Sequence, residues 1–159
     1  MTTEVRSTRL RRLIQAPRAR VYQLLLDPTA LPSWKVPDGM DLEVREWEPR
    51  EGGRIRISLT YRDAAATGKS DVNTDTYHGE FVHLVPNELI VERDEFETGD
   101  PALRGAMTIS IALNDAEGGT ELVATHDGVP VGVRLADNET GWRMSLDKLA
   151  ALAQQPPVR

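Results

Sequence analysis

Apolar and polar positions alternate along most of this chain between residues 42 and 128, and then the period changes. Ile55, Ile57, Leu59 and Tyr61 recur every second residue, as do Met107, Ile109, Ile111 and Leu113, so each set marks one face of a strand. Residues 42–48, 54–61, 76–85, 89–96, 107–113 and 120–126 are predicted strands, with a further strand within 5–15. Tyr77, Phe81 and Val85 are assigned to one face of the third of these, before a tight turn at Pro86-Asn87. Gly52-Gly53 and Glu117-Gly118-Gly119 read as turns, and residues 63–75 as a long polar loop. After residue 136 the spacing becomes helical. Trp142, Leu146, Leu149, Ala150 and Ala153 fall on one face of a long last helix, with Asp137 or Asn138 as its expected cap. Two shorter helical pieces are expected earlier, one opened by Pro17 and carrying Val21, Leu24 and Leu25, the other between Pro28 and Trp34.

This order predicts an α+β helix-grip domain. A curled antiparallel sheet of six to seven strands wraps a long C-terminal helix, with two short helices after the first strand. Each clean strand has one apolar face, so one side of the sheet is covered. Sheets of this size curl. A single helix cannot fill the concave face, and an internal, mostly apolar cavity is the physical expectation.

Composition narrows the function classes. The 159 residues suit one domain, taken as 1–159 with a core over about 6–153. A net charge of −6 gives no reason to expect nucleic acid or an anionic membrane as partner. No cysteine is present, which removes disulfides, thiolate nucleophiles and Cys-ligated metals. No leader-like apolar stretch is seen near Met1 and no run reaches membrane-span length, so a cytoplasmic protein is expected. Exposed edge strands permit a homodimer as well as a monomer.

The short motifs, in their order, resemble the START-like superfamily, the birch-pollen-allergen and polyketide-cyclase group. Within it the chain is most similar to the domain family named after the activator of the heat-shock ATPase, in its short bacterial form. Ala16-Pro17, Val21, Trp34, Gly52-Gly53-Arg54 and Tyr77-His78-Gly79-Glu80 carry the resemblance in the first half. Pro86, Leu89-Ile90-Val91, Gly119-Thr120-Glu121-Leu122, His126, Gly141-Trp142, Leu146, Asp147 and Leu149 carry it in the second. The resemblance implies a cavity that holds lipids, hormones or polyketides, with cyclisation or dehydration in some members. It implies chaperone activation only for eukaryotic proteins with an additional domain, for which a chain of this length is expected to have no room.

Candidate chemistry follows from which groups reach the concave face. His126 shares the parity of Leu122 and Ala124, so it is a candidate ligand anchor or proton donor. Both faces of residues 89–96 carry ionisable groups: Glu92 and Asp94 on one, Arg93 and Glu95 on the other. Whichever looks inward must be paired or solvated. Glu92 and Asp94 are therefore candidate acid–base groups, or anchors for a cationic ligand. The expected ligand-lining residues are Trp34, Met40, Ile57, Leu59, Tyr61 and Tyr77, with Phe81, Phe96, Met107, Ile109, His126 and Trp142. Trp34 is a candidate lid. His78 and His83, five apart on a strand, are expected on opposite faces, and no metal or cofactor is expected. The function expected from these readings is binding of an apolar or amphipathic small molecule, more than catalysis. The alternatives are a cyclase- or hydratase-type enzyme using the same cavity and a stress-related or chaperone-interaction module.

Overall fold

In the computed structural model, which describes residues 6–63 and 73–156, the chain forms seven strands and three helices. Strand β1 (Ser7–Ile14) precedes α1 (Arg18–Leu26) and the single turn α2 (Leu31–Trp34). Then come β2 (Met40–Trp47), β3 (Arg54–Tyr61), β4 (Thr74–Val85) and β5 (Leu89–Phe96). A 3-10 turn at Pro101–Leu103 leads to β6 (Met107–Ala116), β7 (Gly119–Asp127) and the long α3 (Leu135–Ala153). The strands form one antiparallel sheet in the order β1-β7-β6-β5-β4-β3-β2, with β1 and β2 as edges. This is the helix-grip arrangement. The loop expected over 63–75 falls largely outside the described residues.

The helices pack on the concave side because their apolar faces have nowhere else to be buried. Val21, Leu24 and Leu25 of α1, Leu31 and Trp34 of α2, and Leu146, Leu149, Ala150 and Ala153 of α3 form one core with Ile14, Ile55, Ile57, Phe81, Ile109, Ile111 and Leu122. Asp27 stops α1 by folding its carboxylate onto the Thr29 N–H and hydroxyl, at 2.9 and 2.7 Å. Helix α3 begins earlier than its polar residues suggest, with Arg134 at the N-cap and Asp137 in the first turn. Asn138 does not cap it, because its side chain is engaged with Thr8 and His126.

Two bulges correct the strand faces. The β4–β5 register shifts between Phe81 and His83, inserting one residue. Parity reverses beyond it: Leu84 packs against the core and Val85 is exposed. The same bulge places His78 and His83 on one face, not two. They pair with Glu95 and Val91, which share parity on the unbulged β5, and both histidines are exposed on the outer side. A second shift, between Val44 and Glu46, keeps Trp47 facing the core opposite Ile55.

Candidate functional site

Strand β5 turns Ile90, Glu92, Asp94 and Phe96 inward and leaves Arg93 and Glu95 exposed. Glu92 and Asp94 are only 3% and 2% exposed, so two carboxyl groups lie in the protein interior. Sheet register places them. Thr8 pairs with His126, His126 with Ile109, Ile109 with Glu92 and Glu92 with Phe81, giving one row across the concave face. The row brings His126 and Glu92 to the same level, with β6 between them.

The cation that balances the carboxylates comes from the chain itself. Lys35 follows α2, is buried, and places Nζ 3.3 Å from Glu92 Oε1. Its Nζ also lies 5.5 Å from the centre of the Trp47 ring and 6.0 Å from that of Trp142. Burial alone would lower the Lys35 pKa, but the charge of Glu92 and its hydrogen bond work against this and hold the ammonium above its ordinary range. Lys148 of α3 fixes this segment by donating to the Val36 carbonyl at 2.8 Å and pairing with Asp38 at 2.7 Å. The sequence reading missed Lys35. Its only signal was a lysine set between Trp34 and Val36.

His126 is held by α3. Asn138 Nδ2 lies 2.8 Å from His126 Nδ1 and donates to Thr8 Oγ1 at 2.9 Å. An amide nitrogen only donates, so Nδ1 is the acceptor and Nε2 carries the proton, a tautomer assigned from the network. Burial lowers the His126 pKa to about 4, against the opposing pull of Glu92, so the ring is neutral at pH 7. Trp142 stacks edge-on against it at 4.5 Å and is itself half-buried. The Nε2–H has no hydrogen-bond partner.

Asp94 is the second orphan. No protein donor reaches either carboxyl oxygen. Its polar neighbour is another carboxyl group, Glu92, and burial followed by the Glu92 charge raises its pKa well above the usual range. These effects favour the protonated acid, with its O–H directed at Glu92. Gly79, paired with Asp94 across the ladder, makes the space: a Cβ there would collide with Asp94 Oδ1 and the Arg93 carbonyl. Tyr77 stands beside Lys35, Glu92 and Asp94, and burial raises its hydroxyl pKa. The cluster thus holds one compensated ion pair and three neutral polar groups.

The sequence-predicted lining residues divide into two sets. Trp34, Ile57 and Phe81 are at most 1% exposed and belong to the packed core. Trp34 is not a lid, because it lies in the packed core and donates from Nε1 to the Leu24 carbonyl at 3.3 Å. Met40, Ile109 and Met107 are also buried. Leu59, Tyr61, Tyr77, Phe96 and Trp142 are half-buried. Phe96 packs with Met107, Val129, Val133, Leu103 and Leu135 in a second apolar cluster at this end of the sheet.

The outer face has different character. An open trough of about 880 Å³ runs over Arg54, Arg56, His78, Glu80, Arg93, Glu95 and Glu97. Arg56 forks onto Glu97 at 2.8 and 2.9 Å, and His78 sits 3.2 Å from both Glu95 and Glu97. Hydrogen bonding from Arg56 is the main cause of the lowered Glu97 pKa. These are solvated, mutually paired charges of small energetic weight. Among the described residues, no group of three or more His, Asp or Glu is placed to hold a metal ion. No described helix is long and apolar enough to cross a membrane.

Residues 15–154 match the profile of the family described as "Activator of Hsp90 ATPase homolog 1-like protein". A crystal structure of a Chromobacterium violaceum protein is 31% identical, with 94% of this chain and 98% of that one aligned at a TM-score of 0.85. A Rhodobacter sphaeroides protein is 22% identical over 94% and 95% of the two chains, with a TM-score of 0.74. An AHSA1-like protein from Aeromonas hydrophila shares the fold at 16% identity and a TM-score of 0.71, over 97% and 99% of the chains. No curated protein matches the chain.

Proposed function

The chain belongs to the Activator of Hsp90 ATPase homolog 1-like protein family, and on that premise we propose that it is a binding protein for an amphipathic small molecule. The observation that carries this reading is a pair of buried hydrogen-bonding positions left open beside the Lys35–Glu92 pair, the His126 Nε2–H and the Asp94 carboxyl oxygens. Buried polar groups in a finished core are hydrogen-bonded. Orphans beside half-buried aromatic side chains are what a site looks like before its ligand supplies the missing bonds. The apolar part of the ligand lies along Tyr77, Phe96 and Trp142, with Leu59 and Tyr61 further out on the same face. The reading includes a cytoplasmic protein acting as monomer or homodimer.

Native mass spectrometry of protein purified without denaturation tests this. The expected spectrum shows an added small-molecule mass that disappears on unfolding. A bare protein mass that no apolar compound shifts, together with a co-purifying chaperone, would replace the reading by an interaction module.

The cyclase- or hydratase-type alternative has one observation in its favour. Asp94 is pushed up and His126 down, the kind of separation that general acids and bases use. Incubation of the recovered ligand with protein, followed by chromatography, distinguishes the two. An unchanged ligand supports the binder, and a product that vanishes in Asp94→Asn or His126→Phe establishes the enzyme.

A further inference from the structure

We propose that the head group this interior accepts is neutral and carries both a hydrogen-bond acceptor and a donor, as an alcohol or a primary amide does, seated between His126 Nε2 and Asp94. The inference rests on the binding-protein reading and adds the chemistry of the ligand's polar end. Each orphan specifies one half of that chemistry. His126 accepts from Asn138 at Nδ1, so its free nitrogen is a donor and calls for an acceptor. Asp94 directs its proton to Glu92, so its unpartnered lone pairs call for a donor. Gly79 leaves the Asp94 carboxyl its room, since any side chain at that position would collide with it.

Hydrogen-bond complementarity disfavours an ionic head. Lys35 and Glu92 already neutralise each other at 3.3 Å, both at 8% exposure or less. A carboxylate brings no proton to donate to Asp94, and an ammonium brings no lone pair for the His126 Nε2–H, so each leaves a buried polar group unpaired. The way in is marked by Trp142. It contacts His126 edge-on at 4.5 Å and is only half-buried.

The test is a set of probes with one ten-carbon chain and different heads: 1-decanol, decanamide, decyl methyl ether, decanoate and decylammonium. Binding to the full chain at pH 7 is read by displacement of an environment-sensitive apolar dye. The alcohol and the amide are expected to bind about tenfold more tightly than the ether, which accepts but cannot donate, as befits one lost hydrogen bond. They are expected to exceed both ions by at least as much. Asp94→Leu should erase the gap between alcohol and ether. His126→Phe should weaken both and keep the gap. An ionic probe that binds wild type as tightly as the alcohol, or an ether that matches it, overturns the head-group assignment while leaving the binding protein intact. If the dye binds and none of the five probes displaces it, the assignment fails on the wild type alone. If neither dye nor probe binds, the binding-protein reading fails with it.

Discussion

Replacing His126 by phenylalanine should remove a pH dependence of stability that the native interior imposes. The folded-state pKa of His126 is about 4, against 6.5 for a free histidine. Between those values the unfolded chain binds a proton that the folded chain refuses. Stability from this group is therefore fully present above about pH 6.5 and is lost as pH falls toward 4. At about 1.4 kcal/mol per pKa unit, the 2.5-unit interval amounts to about 3.5 kcal/mol at full extent. Asp94 works in the opposite sense. Its raised folded-state pKa means the folded protein keeps a proton that the unfolded chain has released, so its contribution is greatest at low pH and fades as pH rises through the folded value. The wild-type profile between pH 4 and 6.5 is thus flattened by two opposing slopes, and the difference between proteins isolates each one. Glu97, Asp27 and Glu48, with lowered pKa values, steepen the acid limb of every variant alike and cancel in the difference. The paired Lys35 and Glu92, and the neutral Tyr77, face the cluster in both proteins. Urea unfolding at pH 4.5, 5.5, 6.5 and 7.5 gives the measurement. Wild type minus His126→Phe should climb by about 2.5 kcal/mol across that range and level off toward pH 7.5. Wild type minus Asp94→Asn should fall with rising pH. A wild-type-minus-His126→Phe difference that changes by less than about 1 kcal/mol would show that His126 is solvated, and the cluster would lose its central member.

Two further outcomes follow from the same geometry. Lys35→Met should destabilise the protein by about 3–5 kcal/mol, because Glu92 is left buried without its cation, whereas Lys35→Met with Glu92→Leu should recover most of that loss; a single substitution costing under about 1 kcal/mol in urea unfolding would contradict the buried pair. Gly79→Ala should cost about 1–3 kcal/mol, since the new methyl collides with the Arg93 carbonyl of the neighbouring strand as well as with Asp94; an unchanged denaturation midpoint would show that β4 and β5 can separate there without penalty.

The architecture was legible because it depends on local period. Ile55, Ile57 and Leu59, like Ile109, Ile111 and Leu113, pack inward as their alternation indicates, and the α3 face runs through Leu146, Leu149, Ala150 and Ala153. The errors lie where a second chain segment decides. Val82-His83-Leu84-Val85 has no clear alternation of its own, and only the register with β5 shows that a residue is inserted there, which turns Val85 out and His83 to the same side as His78. The start of α3 was misplaced because Asn138, a good cap by type, is bound to His126 and Thr8 across the fold. The candidate site was half legible for the same reason. Strand β5 carries ionisable groups on both faces, so its own pattern is symmetric. Phe81 and Ile109 on the neighbouring strands settle that Glu92 is the inner one. Lys35 belongs to a four-residue helix and its end, too short to have a period, and its partner is far away in sequence.

The interior cluster is hard to explain as a stabilising device. A buried ion pair is often matched or bettered by apolar side chains of similar volume. Each unpartnered buried polar group costs about 1–3 kcal/mol, against a net stability of about 5–15 kcal/mol for a whole domain. The outer face shows how this chain uses charge when nothing is at stake: Arg56, His78, Glu95 and Glu97 pair in contact with water, at little cost. The inner groups instead come from six separate elements, β1, β4, β5, β7, α3 and the turn after α2, and sheet register aligns Thr8, His126 and Glu92 among them in one row. The half of the concave face filled by Leu31, Trp34, Ile57 and Leu122 shows that the fold can pack an apolar core to completion. Where it stops doing so, it leaves one donor and one carboxyl without partners. In the proposed complex the ligand supplies their missing hydrogen bonds, which would make the unfavourable part of the fold the favourable part of binding.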